Sequence, residues 1–327
     1  MISKAQPMDQ NRKNLLSTFE KVLTNRTLMA FIGLIILGII LSLISPYFLT
    51  KANILNVLRQ VSIIAILSIG MTYVIISGGI DLSVGSVLAL SSTITAIFIQ
   101  ANVNIGLSIL IGLCVGILAG TITGSLIVSR IRMAPFIATL AMLSVARGLT
   151  LVLTGGMPIY GLPKSFSFFG AGYILGIPFP VVLMILIYAI GVYLLNYTRT
   201  GLYFFAVGGN EEAARLSGIN VAKVRLTAFM ISGFLAAVGG IILSSRISSI
   251  EPVAGEGYQL DCIAAAVIGG ASMSGGVGSL IGTFIGALIM GFLRNGLNLL
   301  DVSIYWQQVV IGVVIAVTVA MSTVRKK

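Results

Sequence analysis

Asp81, Arg147 and Asp261 stand in or beside stretches that are otherwise apolar. A charge in such a run is costly, so it marks a relay, a solute contact or a buried pair. Asp81 follows Gly78-Gly79-Ile80 and precedes Leu82-Ser83-Val84-Gly85-Ser86, a glycine- and serine-rich break. There it can line a passage, or accept the N–H groups of Ser83 and Val84 and start a helix. Asp261 opens an apolar run, which is also a normal place for a helix-starting carboxylate. Arg147 needs a carboxylate or backbone carbonyls as its partner, for a structural pair or a pore role. Asn295 and Asn298 lie on one helical face, suited to hydrogen bonds between helices or to solute contact. A hydrated solute needs hydroxyl, amide and aromatic partners, and Tyr73, Ser83, Ser86, Thr93, Asn295 and Asn298 supply them.

Much chemistry is excluded at once. The sequence has no histidine, which removes His metal ligands, serine–histidine nucleophiles and the commonest proton shuttle. No G-x-x-x-x-G-K-[ST] phosphate loop occurs, so the chain cannot supply a nucleotide site. No catalytic residue and no metal ligand set is expected. Cys114 and Cys262 both lie in apolar runs, which argues against a disulfide framework.

The elements that hold these residues must live in lipid. Of 327 residues, 57% are hydrophobic and 9% charged, against about 25% charged in soluble domains. Mean hydropathy is +1.08. A soluble enzyme, a nucleic-acid-binding module and a disordered chain are excluded. The expected fold is an all-α polytopic membrane protein of about ten spans, eight at the fewest, with some broken or re-entrant. At ~20 residues a span, ten spans leave no room for a separate soluble domain.

Apolar runs place the spans near 28–49, 54–76, 84–100, 105–128, 134–154, 175–196, 226–244, 259–271, 277–293 and 303–323. The eighth is short enough to be a half-span. Residues 1–27 form a polar, basic tail in which Leu15, Leu16, Phe19, Val22 and Leu23 share one helical face; it reads as an interfacial helix or a plain lead-in, not a cleaved leader. The membrane domain is 28–323, and 324–327 is a basic tail. With both termini in the cytoplasm, 14 of the 20 Lys and Arg residues fall inside. The net charge of +11 then reflects topology, not a nucleic-acid partner. Trp306, the only tryptophan, suits an interfacial anchor. Residues 63–86 and 263–279 each pair a short apolar run with a Gly/Ser-rich break, which is either a parallel repeat or coincidence of composition.

The longest cytoplasmic loop, 197–225, holds the most informative segment. Asn210 can cap a short helix with Glu211 and Glu212 in its first turn, Ala213 and Ala214 in its body, and Gly218 as its stop. Arg215 stands four residues beyond Glu211, the spacing for a surface pair. Such a knob suits a groove on a cytoplasmic partner, or is an ordinary solvated loop helix. The outer loop 245–259 carries Arg246, Glu251 and Glu256, which can meet a charged partner or simply be solvated.

The segment Gly208-Gly209-Asn210-Glu211-Glu212-Ala213-Ala214-Arg215-Leu216-Ser217-Gly218-Ile219 resembles the coupling segment of bacterial ABC sugar-importer permeases of the ribose/xylose/galactose type. The resemblance continues in Gly78 to Gly85, Ala146-Arg147-Gly148, Gly255 to Asp261, and Asn295 to Leu300, in the expected order. Leu202 departs from it, since many such permeases have Arg after that glycine. The resemblance implies one of two permease subunits of a pore, a homodimer in the preferred form, in the bacterial inner membrane. It implies a cytoplasmic ATPase, single or tandem, that holds ATP and Mg while this chain binds no cofactor. It also implies a sugar-binding protein, periplasmic or lipid-anchored, with ribose the preferred sugar. Two other functions compete: a secondary transporter or channel driven by an ion gradient through Asp81 and Asp261, and an intramembrane hydrolase using the two as a dyad.

Overall fold

The computed structural model describes residues 26–129 and 133–324. The interfacial helix expected in 1–27, the basic residues Arg130 and Arg132, and the tail from 325 lie outside those residues, apart from the start of the first helix. In chain order the elements are α1 (Arg26–Ile44), α2 (Lys51–Ile76), α3 (Val84–Gln100), α4 (Ile105–Val128), α5 (Pro135–Thr154) and α6 (Lys164–Ala171). A small hairpin, β1 (Tyr173–Ile174) and β2 (Ile177–Pro178), leads to α7 (Phe179–Tyr197). Then come α8 (Arg199–Gly209), α9 (Glu211–Leu216), α10 (Val221–Ile247), α11 (Tyr258–Ile268), α12 (Leu280–Leu299) and α13 (Ile304–Val324).

Each of the ten apolar runs has become one helix. Seven of these, α1, α2, α4, α5, α7, α10 and α12, are long and apolar enough to cross a membrane, while α3, α11 and α13 are apolar over shorter stretches. The chain is therefore an all-α polytopic membrane protein. The sixth run starts later than its composition suggests. Leu175 and Gly176 both have positive φ (50° and 79°) and form the hairpin turn, and prolines at 178 and 180 start α7 behind it.

The centre is built from α2 and α10. Residues 61–76 of α2 are buried all round, as are most residues from 232 to 245 of α10. By contrast, α1 exposes Ile35, Ile36, Ile39 and Leu43, the face a lipid-bathed helix presents. Between α4 and α10 the helices touch backbone to backbone: a Cβ on Gly116 would overlap the carbonyl of Gly233, and one on Gly120 that of Phe229. In lipid, where apolar burial gives no net drive between helices, such close approach supplies the dispersion contact.

The eighth run forms a helix too short to cross a membrane alone, in keeping with its short apolar stretch. α11 has only 11 residues, about 16 Å of helix, and irregular segments flank it on both sides. Non-helical backbone of this kind is tolerated in a membrane only where protein covers it.

Candidate functional site: a capped knob and two broken helices

The knob is framed by its own chain. The Asn210 side chain accepts the N–H of Ala213 at 2.9 Å and so caps α9, as its position implied. Gly218, at φ +80°, ends it. The ion pairs differ from the expected spacing. Arg215 bonds Glu212 at 2.6 Å, whereas Glu211 reaches Arg225 on α10 at 2.7 Å. Ala214 is buried, and Glu212, Ala213, Arg215 and Leu216 stand exposed. Beside the knob a cavity of about 490 Å³ is lined by Glu211, Arg215, Asn220 and Arg225 together with Ile127 and Met133. α8, which delivers the knob, buries Phe204 and Val207 against the core. Gly209 is the last residue of α8, not part of α9.

Asp81 is a structural acceptor. It takes the N–H of Ser83 (2.9 Å), the hydroxyl of Ser83 (2.6 Å) and the hydroxyl of Ser232 (2.7 Å). Of the two N–H groups expected, Asp81 accepts only that of Ser83, the residue just ahead of α3, so it closes the turn before the helix without capping it, and its other oxygen takes the Ser232 hydroxyl on α10. Ser86 bonds back to the carbonyl of Ser83 at 2.9 Å. One residue into α3, a Cβ on Gly85 would overlap the carbonyl of Gly255, so the α2–α3 break touches the segment ahead of α11. Arg147 holds that same segment by donating to the carbonyls of Pro252 and Ala254 (3.1 Å for the latter). Glu256 is exposed and near enough to interact with Arg147 electrostatically.

The remaining candidates are joined in pairs. Asp261 is buried and receives two bonds from Arg294 on α12, at 2.9 and 2.7 Å. Asn295 and Asn53 exchange amide hydrogen bonds of 2.8 and 3.0 Å between α12 and α2. Asn298 accepts from Gln307 on α13 at 2.8 Å. Tyr73 is buried and donates to the carbonyl of Gly191 at 2.7 Å. Of the solute-contact candidates, Thr93 alone has a buried hydroxyl with no hydrogen-bond partner among the described residues. Arg246, in the last turn of α10, and Glu251 are half-buried, and Glu256 is exposed on the loop that follows α10. Cys114 and Cys262 are free thiols. Among the described residues no group of His, Cys, Asp and Glu could hold a metal ion.

A family model described as the branched-chain amino acid transport system/permease component matches residues 53–319. The chain belongs to this permease family. It is 52% identical to the ribose import permease protein RbsC of Bacillus subtilis, over 91% of this chain and 92% of that one. The protein of the same name in Escherichia coli is 46% identical, over 89% and 91%. The D-allose transport system permease protein AlsC of Escherichia coli is 40% identical, over 91% of each. No solved structure matches the chain significantly. The permease is a transport subunit rather than an enzyme, and it is a multi-pass membrane protein.

Three groups emerge from the permease's candidate residues. Asn210 to Gly218 form the knob. Asp81, Ser83, Ser86 and Arg147 gather where the α2–α3 break meets residues 252–255. Asp261, Asn295 and Asn298 bind α11, α12, α2 and α13 together. The residues that complete these networks, Arg225, Ser232, Arg294 and Asn53, carry weaker signals in the sequence. Arg294 had the clearest, since a lone arginine at the edge of an apolar run calls for a carboxylate.

Proposed function

We propose that this permease is the pore-forming subunit of an ATP-driven ABC importer for a monosaccharide, with ribose preferred, in the bacterial inner membrane. The relatives named for ribose import support that sugar, at 52% and 46% identity against 40% for the relative named for D-allose. α9 docks on a cytoplasmic ATPase, single or tandem, that holds ATP and Mg. A sugar-binding protein, periplasmic or lipid-anchored, meets the opposite face at Arg246, Glu251 and Glu256. Both termini lie on the cytoplasmic side, and a second copy of the chain completes the pore as a homodimer.

The observation that carries the coupling role is the knob itself. Its helix ends are capped and its base is ion-paired within the chain, yet Leu216 at its tip is 82% exposed. A preorganised helix with an apolar tip and a charged flank fits a groove on a partner. Asp81 and Asp261 support ATP over an ion gradient, because each is already engaged inside the chain, by serines and by Arg294. Separate partners also argue against a hydrolytic dyad.

The test is reconstitution in proteoliposomes with the ATPase and the binding protein. Labelled ribose is expected to enter only with ATP on the ATPase side, in particles containing two copies of the permease. Uptake driven by a proton or sodium gradient without ATP would refute the proposal.

A further inference from the structure

Three backbone segments that are distant in sequence meet at the base of the knob: the end of α8, the break after α2, and the break after α11. The N–H of Gly276 donates to the carbonyl of Ile76, the last residue of α2, at 2.9 Å. A Cβ on Gly208 would overlap that same carbonyl oxygen and would lie 2.7 Å from the nitrogen of Gly276. A Cβ on Gly275 would lie 2.7 Å from the carbonyl oxygen of Gly208 and 3.1 Å from the Cα of Gly78. One on Gly276 would lie 2.7 Å from the Cα of Gly209. Gly78, Gly275 and Gly276 also sit at φ +84°, +82° and +70°, which glycine alone adopts readily. No side chain separates the three segments at these contacts.

We infer that Gly208, Gly275 and Gly276 are the transmission contact of the transport cycle, through which a shift of the knob moves the end of α2 and the break between α11 and α12 as one body. The inference rests on α9 being the helix that docks on the ATPase. A side chain between two elements can take up a displacement by rotating about its χ angles. Backbone in direct contact has no such freedom, and close-packed interiors pass strain on. The arrangement reaches further inward by two routes. Tyr73, one turn before the end of α2, packs on Phe204 of α8 with ring centroids 5.3 Å apart. Beyond Gly78, Asp81 fixes the same break to Ser232 on α10. These glycines touch no substrate; they are positioning residues. The two similar Gly/Ser segments thereby acquire a shared task, since both breaks abut the same turn of α8.

The decisive variant is Gly208→Ala in the assembled transporter, reconstituted with ATPase and binding protein. ATPase co-purification and ATP hydrolysis are expected to persist, while ATP-driven ribose uptake falls about tenfold or more. Gly33→Ala, whose Cβ meets nothing within 4 Å, is expected to transport normally. Normal uptake by Gly208→Ala would overturn the inference. Failure of the docking role itself would show differently, as normal ATPase binding and uptake in Glu212→Ala and Arg215→Ala. If Gly208→Ala does not fold, hydrogen exchange on the wild-type complex decides. Nucleotide binding is expected to change exchange in peptides covering 76–79, 206–210 and 274–278 together. A change confined to 206–210 would overturn the inference.

Discussion

The hydroxyl of Ser232 donates a 2.7 Å hydrogen bond to the carboxylate of Asp81, across 151 residues of sequence. Ser232 is the twelfth residue of α10, about 17 Å along its axis, so the bond fastens the α2–α3 break well inside the helix bundle. Both groups are buried. Ser232→Ala removes the donor and leaves one carboxylate oxygen without it, at an expected cost of about 1–3 kcal/mol. Thermal unfolding of the detergent-purified permease measures this. Ser144→Ala, whose exposed hydroxyl only bonds back to the carbonyl of Leu140, is expected to leave the midpoint unchanged.

Asp261 depends on Arg294 in the same way, with more at stake. Its side chain is 1% exposed, while that of Arg294 is 31% exposed. Arg294→Ala strands a buried carboxylate and is expected to destabilise the permease by about 3 kcal/mol, the low end for breaking a buried pair because water partly reaches the arginine. Asp261→Asn combined with Arg294→Gln removes both charges and should restore most of the loss. A double variant no more stable than Arg294→Ala would show that the charge pair is not what holds α11 to α12.

The two ion pairs at the knob should separate in their effects. Glu212 and Arg215 are half or more exposed, so replacing either with Ala should alter stability by only about 0–1 kcal/mol. Docking of the ATPase, read by co-purification and binding affinity, should nonetheless fall about tenfold. Arg225→Ala is different, because Arg225 is 22% exposed and anchors Glu211 to α10. It should weaken docking and also loosen α9, seen as faster hydrogen exchange over 211–216. Equal behaviour of all three variants would contradict this division.

The ten apolar helices were legible because length and hydropathy encode a membrane span directly. α8 was not, and its residues show why. Gly201, Gly208 and Gly209 look like loop residues, yet a Cβ on Gly201 would overlap the carbonyl of Leu195, and Gly208 abuts Ile76. Close packing explains Gly201 and Gly208, and the helical spacing of the buried Phe204 and Val207 is the signal in the sequence that marks α8. α6 is eight residues long, too short for periodicity to stand out. At the candidate sites, the need for a partner was readable but its identity was not. Glu211 had Arg215 at the right spacing within its own helix, but the first turns of α10 lie beside α9 and Arg225 took the place. Asp81 could be seen to accept within its break, yet nothing distinguishes Ser232 from the many other serines before the helices pack.

Asn53 and Asn295 allow the packing role of the polar residues to be measured against a solute role. Each amide donates to the other, at 3.0 and 2.8 Å, and Asn295 is buried, so the pair is satisfied without any solute. In a double-mutant cycle of Asn53→Ala and Asn295→Ala, a coupling of about 0.6–2 kcal/mol is expected, the range for interhelical hydrogen bonds in membranes. The affinity for ribose of the assembled transporter should then stay unchanged in Asn53→Ala, because that side chain is engaged by Asn295 and by the carbonyl of Phe48. A variant that altered sugar affinity without altering thermal stability would place Asn295 in the passage and not in the packing between α2 and α12.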